Sequence, residues 1–253
     1  MQHFAVVAMS RSGSTRLCEI LDSHPAVICH HELFHPHEVQ AYLPRDRGLE
    51  LMDRERRDAE PAAFLGRFLD FAQSRFGDPA RHGFKVLLNG EQGRVALEVV
   101  CPMERLGKIV LRRDNLLAWY TSRQLAAETG VWHRGRDAPP DDRDYKIAFD
   151  PQEFFAAAGQ RVVMLRAVVA GLRQSGQRFL ELDYGETLAP AGLERVWRFL
   201  GVAPIRTESP TRKLNTRALL DCYLNPDEVR SAMQAVGRPD WLAGDGPAPP
   251  ADR

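Results

Sequence analysis

Short apolar runs and amphipathic stretches alternate along most of the chain. FAVVAM at 4–9 is a continuous apolar run, which is typical of a strand buried on both faces of a parallel sheet. It is followed by the polar loop SRSGST at 10–15 and by a stretch in which Leu17, Ile20 and Leu21 recur at helical spacing. The beginning of the chain is therefore predicted to form a strand, a loop and a helix.

The same order of apolar strand and amphipathic helix recurs towards the C-terminus. Further strands are predicted at AVICH (26–30), GFKVLL (83–88), GKIVLRR (107–113) and FLELDY (179–184), and helices at 64–72, from Asn115 onward and at LERVWRFLGV (193–202). Residues 161–169 fit a strand and a helix equally well. Because strands that alternate with helices form parallel sheets covered on both faces, we predict an α/β, P-loop-like three-layer fold with a central parallel sheet.

Length and composition indicate one large globular domain. The chain has 253 residues, of which 44% are hydrophobic and 27% charged, the balance of an ordinary folded protein. We assign residues 1–242 to a single domain and predict that 243–253, rich in proline and glycine, form a disordered tail. Residues 45–57 carry five arginines without an apolar pattern, which is typical of a solvated helix face or a loop.

Charge, cysteine usage and hydropathy narrow the expected setting of the protein. Basic and acidic residues both number 34, so the formal charge is zero and no overall field favours nucleic acid or a membrane surface. The four cysteines include no CxxC pair, so we expect reduced thiols. No leader and no run long enough to span a membrane stands out. We expect a cytoplasmic protein without an integral membrane segment and without a nucleic-acid partner. The sequence does not decide between a monomer and a homodimer.

The loop SRSGST lies where a parallel strand meets the N-terminus of a helix, a common place for a phosphate. Gly13 permits close approach of the backbone. Ser12, Ser14 and Thr15 add hydroxyl donors to the free N–H groups of the helix. Arg11 supplies a cation from inside the loop. These residues predict a phosphate site, although a Ser/Thr-rich helix cap with an exposed arginine has the same sequence.

The same loop departs from the nucleotide-binding pattern GxxxxGK[ST]. Ala8 stands where the first glycine belongs, and Ser14 replaces the lysine that reaches the β and γ phosphates. A P-loop small-molecule kinase is therefore disfavoured but stays an alternative, as does a non-catalytic nucleotide-binding module.

A second polar segment, RRDN at 112–115, ends a predicted strand and precedes a helix that carries Ser122. SRSGST and this segment together resemble the two cofactor loops of sulfotransferases that use 3′-phosphoadenosine 5′-phosphosulfate (PAPS). The pieces RSGST, HELF, GFKVLL, RRDN, DYGETL, FLGV and KLNT look most like the bacterial carbohydrate group that includes trehalose 2-sulfotransferases and rhizobial nodulation-factor sulfotransferases.

This resemblance implies an enzyme that moves the sulfuryl group of PAPS to a hydroxyl of a carbohydrate, a glycolipid or another small molecule, without a metal. In that family the first loop binds the 5′-phosphosulfate. The corresponding residues here are Arg11, Ser12, Gly13, Ser14 and Thr15. Positioned donors of this kind stabilise the charge on a departing phosphate by about 2.7–4 kcal/mol.

The resemblance also implies residues for the 3′-phosphate of the cofactor. Arg113 and Ser122 stand where the family has an arginine after a central strand and a serine on the next helix. The spacing in cytosolic relatives would select Thr121 instead of Ser122. Arg212 and Lys213 match a basic C-terminal loop that closes over the 3′-phosphate in relatives, although such residues in a loop are commonly only solvated.

Glu32 is the predicted general base. Sulfuryl transfer needs a group that takes the proton of the acceptor hydroxyl. In the trehalose-type enzymes a glutamate followed by an apolar and an aromatic residue plays this part, and Glu32-Leu33-Phe34 matches that arrangement. Histidine is the base in cytosolic relatives, and the alternatives here are His30, His31, His35 and His37.

The same segment reads H-E-x-x-H from His31 to His35, a string that binds zinc when it lies on a helix. Pro36 and the apolar strand before the segment predict extended or loop structure instead. We therefore expect no metal site.

Three further residues have less specific signals. Lys85, in the middle of GFKVLL, is either a charge at a strand edge or a residue near the acceptor. Tyr184 and Glu186 are expected to cap the last helix rather than to touch substrate. We expect the acceptor pocket to be formed by 36–82 and 124–160, and these stretches contain no motif that identifies the acceptor.

Overall fold

The computed structural model describes residues 2–42, 52–76, 81–132, 145–206 and 217–246. Within them one parallel sheet is formed by β1 (His3–Ala8), β2 (Val27–Glu32), β3 (Arg81–Leu87), β4 (Leu106–Arg112) and β5 (Phe179–Asp183). The order across the sheet is β2-β3-β1-β4-β5. The predicted α/β fold with a central parallel sheet is confirmed.

Helices connect the strands. They are α1 (Ser14–Asp22), α2 (Arg54–Ala59), α3 (Pro61–Phe76), α4 (Gly90–Val95), α5 (Leu116–Thr129), α6 (Pro151–Gln174), α7 (Pro190–Leu200) and α8 (Pro226–Ala235). A π-helical segment, Ala96–Val100, extends α4, and 3-10 turns lie at Glu186–Leu188, Leu219–Cys222 and Pro239–Ala243. The ambiguous stretch 161–169 is helical because α6 begins well upstream, with Pro151 in its first turn and the Asp150 side chain accepting two N–H groups as N-cap.

Both faces of the sheet are covered, as side chains of β1 show. Ala5 and Val7 pack in a cluster with residues of α3 and α6, whereas Phe4 and Val6 pack on the opposite face with residues of α1 and α7. All four side chains are fully buried. Because burial of a side chain such as valine or phenylalanine contributes about 1.5–3 kcal/mol, β1 is held firmly in the middle layer.

α6 departs from one expectation of the sequence analysis. It has 24 residues and is apolar, so by length and composition it could cross a membrane. The prediction that no stretch of the chain is long and apolar enough to span a membrane is therefore wrong for α6. In the fold, Val168, Val169 and Leu172 of α6 belong to the cluster that covers the sheet, and Arg161 is buried on the same helix.

α2 contains a buried arginine. The Arg57 guanidinium donates from Nη1 to the carbonyl oxygens of Leu33, His35 and Glu38 at 2.8–3.0 Å and pairs with Asp58. The prediction that the arginine-rich stretch is solvated is wrong for this residue. Because carbonyl groups and a carboxylate satisfy the guanidinium, Arg57 fastens the loop that follows β2.

The folded part of the chain continues past residue 242, where the sequence predicted its end. Ala243 completes the last 3-10 turn, and the Asp245 side chain is only 5% exposed in an ion pair with Arg113. Residues 247–253 of the predicted tail lie outside the described residues.

Candidate active site

The loop between β1 and α1 has a backbone that only certain residues can adopt. Gly13 is the N-cap of α1 with φ of 81°, and a Cβ atom there would lie 2.3 Å from the ring of Tyr184. Arg11, with φ of 62°, is the one non-glycine residue at positive φ among the described residues. Such a conformation costs about 1–2 kcal/mol. Strain of this kind collects at ligand-binding loops.

Most of the predicted phosphate loop faces one cavity at the carboxyl ends of the strands. The loop residues that line this cavity are Ser10, Arg11, Gly13, Ser14 and Thr15. Ser12 lies beneath them, fully buried, with its hydroxyl donating to Met9 O at 2.7 Å and accepting from Arg161 Nη2 at 2.6 Å. The Ser12 hydroxyl is therefore engaged within the protein and does not face a ligand.

Arg11, Ser122 and Arg113 meet at one wall of this cavity. Arg11 donates from Nε and Nη2 to Ser122 Oγ at 3.0 and 2.8 Å, and its Nη1 contacts the carbonyl oxygen of Trp132. Arg113 Nη1 donates to the Arg11 carbonyl at 3.1 Å. Burial, and then the charge of Arg113, lower the pKa of Arg11 to about 10, so its guanidinium is charged at neutral pH.

The two hydroxyls proposed for the 3′-phosphate differ in their partners. The Thr121 hydroxyl is buried, with Leu117 O at 2.8 Å and Tyr223 Oη at 2.7 Å. The Ser122 hydroxyl accepts from Arg11 and retains its own proton to donate. The geometry therefore favours Ser122 over Thr121 as a group that could reach a ligand.

Arg113 is held by a carboxylate from the C-terminal segment. Its Nε and Nη2 lie 3.0 and 2.5 Å from the two carboxylate oxygens of Asp245, and its guanidinium lies 5.1 Å from the ring centroid of Tyr184. The Arg113 side chain is 9% exposed and that of Asp245 5%. An arginine can make the same two-pronged contact with a phosphate.

Glu32, the predicted base, lies at the carboxyl end of β2 beside Lys85 of β3, with which it is paired in register. Lys85 Nζ lies 2.9 Å from Glu32 Oε1 and donates to Thr15 Oγ1 at 2.9 Å. Gln92 Nε2 donates to Glu32 Oε2 at 2.7 Å. A buried ammonium group thus joins the predicted base to the predicted phosphate loop.

The electrostatic surroundings keep Glu32 ionised. Burial raises the pKa of its carboxyl, but the charge of Lys85 and the hydrogen bonds from Gln92 and Lys85 outweigh burial, so the pKa lies below its ordinary value. At neutral pH Glu32 is a carboxylate and therefore able to accept a proton.

The four neighbouring histidines fall into two groups. His30 is fully buried, its Nδ1 accepts from the Tyr42 N–H at 3.0 Å, and burial lowers its pKa to about 3. His31, His35 and His37 line the cavity, and burial, followed by Lys85, lowers the pKa of His31. By position, three of the four histidines stay alternatives to Glu32, whereas His30 does not.

The H-E-x-x-H string does not lie on a helix. β2 runs through Glu32, and the chain then enters a turn, so His31 and His35 are not one helical turn apart. Among the residues that the structure describes, no group of three or more histidine, cysteine, aspartate or glutamate side chains is arranged to hold a metal ion.

Several residues of the site had no clear sequence signal. Lys85 showed only as a charge within an apolar run, and nothing distinguished Gln92 or Arg161. Tyr184 was expected to cap the last helix, but the N-cap of α7 is Ala189 and Tyr184 lines the cavity, so this expectation is wrong. Glu186 likewise does not cap α7: its carboxylate accepts from the Asp183 N–H at 2.7 Å and pairs with Arg195.

Two predicted residues cannot be located. Arg212 and Lys213 lie outside the described residues. Their role over a 3′-phosphate therefore stays a prediction from the sequence.

Comparison with known proteins gives structural neighbours only. No protein-family model matches the chain, and no curated protein matches its sequence. A sulfotransferase domain from the curacin biosynthetic pathway has 14% identity and a TM-score of 0.48, covering 85% of this chain and 81% of its own. A sulfotransferase from Alicyclobacillus acidocaldarius has 15% identity and a TM-score of 0.42, covering 95% of this chain and 94% of its own. The functional proposal therefore rests on the geometry of the site.

Proposed function

We propose that the protein is a sulfotransferase that moves the sulfuryl group of PAPS to a hydroxyl group. The observation that carries this proposal is the contact chain from Glu32 through Lys85 to Thr15. It supports a carboxylate base directly beside a loop that is suited to an anion.

The reaction needs a base for the acceptor hydroxyl and cationic or N–H donors for the departing phosphate. Glu32 accepts the proton of the acceptor hydroxyl while the acceptor oxygen forms its bond to sulfur. The sulfur–oxygen bond to the 5′-phosphate breaks with its electron pair staying on the phosphate. Arg11 and the N–H groups at the start of α1 stabilise the charge that develops there. Lys85 adds a cation between the base and the loop.

PAPS is also held at its 3′-phosphate in this proposal. Arg113 and Ser122 are the residues that would bind it, and Asp245 must leave Arg113 when they do. The convergence of Arg11, Ser122 and Arg113 at one wall supports this assignment. Adenosine 3′,5′-bisphosphate, the product, should therefore bind more tightly than adenosine 5′-phosphate.

The acceptor is proposed by resemblance alone. A hydroxyl of a carbohydrate or glycolipid, as in the trehalose and nodulation-factor group, is the first class to test, followed by other small molecules. We place the enzyme in the cytoplasm.

Competitive titration separates this function from a kinase. Isothermal calorimetry with adenosine 3′,5′-bisphosphate and with ATP should show tighter binding of the bisphosphate. Tighter binding of ATP would favour a P-loop kinase instead. Labelled PAPS, incubated with fractionated extract of the source organism and the enzyme, should then label a product that mass spectrometry identifies. Glu32→Gln enzyme is the control and should label about 10²–10⁴ times more slowly.

A further inference from the structure

A buried arginine of α6 lies directly beneath the predicted phosphate loop. Arg161 is 0% exposed, donates from Nη2 to Ser12 Oγ at 2.6 Å, and lies 4.8 Å from the ring centroid of Trp119. Trp119 in turn donates from Nε1 to the carbonyl oxygen of Ser10 at 3.1 Å. Arg161 and Trp119 thus support both ends of the loop segment from Ser10 to Ser12.

Arg161 has no direct ion pair within the part of the chain that the structure describes. Its Nε and Nη1 atoms are buried without a hydrogen-bond partner. Asp114 and Asp183 act on its charge only from a distance, and they raise its pKa less than burial and Arg113 lower it. Burial, followed by the charge of Arg113, lowers its pKa to about 9, so it stays protonated at neutral pH. An unpaired buried guanidinium costs free energy in the empty protein.

Arg57 shows how this chain treats a buried arginine that serves the fold. Its guanidinium is 2% exposed and is satisfied by three carbonyl oxygens and the Asp58 carboxylate. Arg161 has one hydroxyl oxygen and the face of the Trp119 ring instead. Among the described residues, no carboxylate pairs with Arg161 as Asp58 does with Arg57.

We propose that Arg161 is a positioning residue of the phosphate loop, whose charge is balanced when an anionic phosphate or phosphosulfate group binds there. It acts through Ser12, which it holds in place, and through its field at the loop. This inference rests on the proposed function for the identity of the ligand, but requires only that the loop binds an anion.

The test measures stability and affinity in matched variants. Arg161→Met removes the charge while keeping the length of the side chain, and Arg57→Met is the matched control. Without ligand, Arg161→Met should melt at the same temperature as the wild type or higher, whereas Arg57→Met should melt lower. Calorimetry with pyrophosphate, adenosine 5′-phosphate and adenosine 3′,5′-bisphosphate should show each affinity falling about tenfold in Arg161→Met, because all three place charge at the loop. Arg161→Lys should recover part of the loss.

Each outcome decides between the two proposals. The role of Arg161 is overturned if Arg161→Met melts well below the wild type or fails to fold. It is also overturned if Arg161→Met binds all three ligands as well as the wild type does. A wild-type protein that binds pyrophosphate but neither nucleotide contradicts the proposed function, while the pyrophosphate arm still tests Arg161. A wild-type protein that binds none of the three overturns both.

Discussion

Two buried ion pairs in the same cavity are built in different ways. Lys85 and Glu32 come from neighbouring strands in hydrogen-bonded register, and their side chains are 3% and 9% exposed. Arg113 and Asp245 are equally buried, but Asp245 belongs to the segment after the last 3-10 turn. The first carboxylate is fixed by the sheet, whereas the second is held mainly by the arginine that it covers.

From this difference we expect the Lys85–Glu32 pair to persist when a ligand binds, and the Arg113–Asp245 pair to give way to the ligand. Strand pairing fixes the backbone of Glu32 and of Lys85, so we expect the two side chains to stay together when a ligand binds. In the proposed function a phosphate replaces Asp245 at Arg113, because it offers two oxygens in the same way and more charge. The C-terminal segment thus satisfies a buried cation that would otherwise be unpaired in the empty protein.

Glu32→Gln should have the largest effect. The amide keeps the shape and cannot take a proton, so we expect turnover to fall by about 10²–10⁴ while affinity for adenosine 3′,5′-bisphosphate is nearly unchanged. Steady-state kinetics and calorimetry measure the two quantities. Glu91→Gln, on the exposed start of α4, is the control and should leave both unchanged. Near-normal turnover in Glu32→Gln, together with its loss in His31→Ala or His35→Ala, would identify a histidine as the base.

Arg113→Ala should have the next largest effect, on binding. Charge-assisted hydrogen bonds contribute about 1.5–3 kcal/mol, so affinity for adenosine 3′,5′-bisphosphate should fall by about 10- to 100-fold, with a much smaller loss for adenosine 5′-phosphate. Arg112→Ala, which removes a surface arginine paired with Asp114, is the control. Equal losses for both ligands would show that Arg113 does not recognise the 3′-phosphate.

Lys85→Met should shift the pH dependence of the reaction. Glu32 acts when it is ionised, and Lys85 holds its pKa below the ordinary value of 4.5 against the opposite effect of burial. The acid limb of kcat/KM should therefore lie below pH 4.5 in the wild type and move to higher pH in Lys85→Met. An acid limb that stays in place would mean that Lys85 does not control the base. Circular dichroism at each pH checks that both proteins stay folded.

Asp245→Asn should have the smallest effect and the opposite sign. Removing the charge of the competing carboxylate frees Arg113, so we expect affinity for adenosine 3′,5′-bisphosphate to rise by a few fold, because the ligand no longer displaces a buried anion. Affinity for adenosine 5′-phosphate should not change. The matched control is Asp240→Asn, because Asp240 pairs with Arg238 on the surface of the same segment. Unchanged or weaker binding of the bisphosphate in Asp245→Asn would contradict the exchange.

Local patterns in the sequence determined the elements and the loop chemistry. FAVVAM, GFKVLL and GKIVLRR are continuous apolar runs because their strands are buried on both faces, and each overlaps an observed strand, namely β1, β3 and β4. Gly13 and the hydroxyl residues around it mark the helix start at which they lie. These signals are readable because hydrophobic burial and helix capping act over a few residues.

The assembly of the site was decided only by the tertiary structure. β3 is inserted between β1 and β2, and this order brings Lys85 against both Glu32 and Thr15. Asp245 reaches Arg113 across 132 residues, and Arg161 reaches Ser12 across 149. Such contacts leave no local pattern, because an isolated charge in the sequence looks the same whether water or a distant side chain will be its partner.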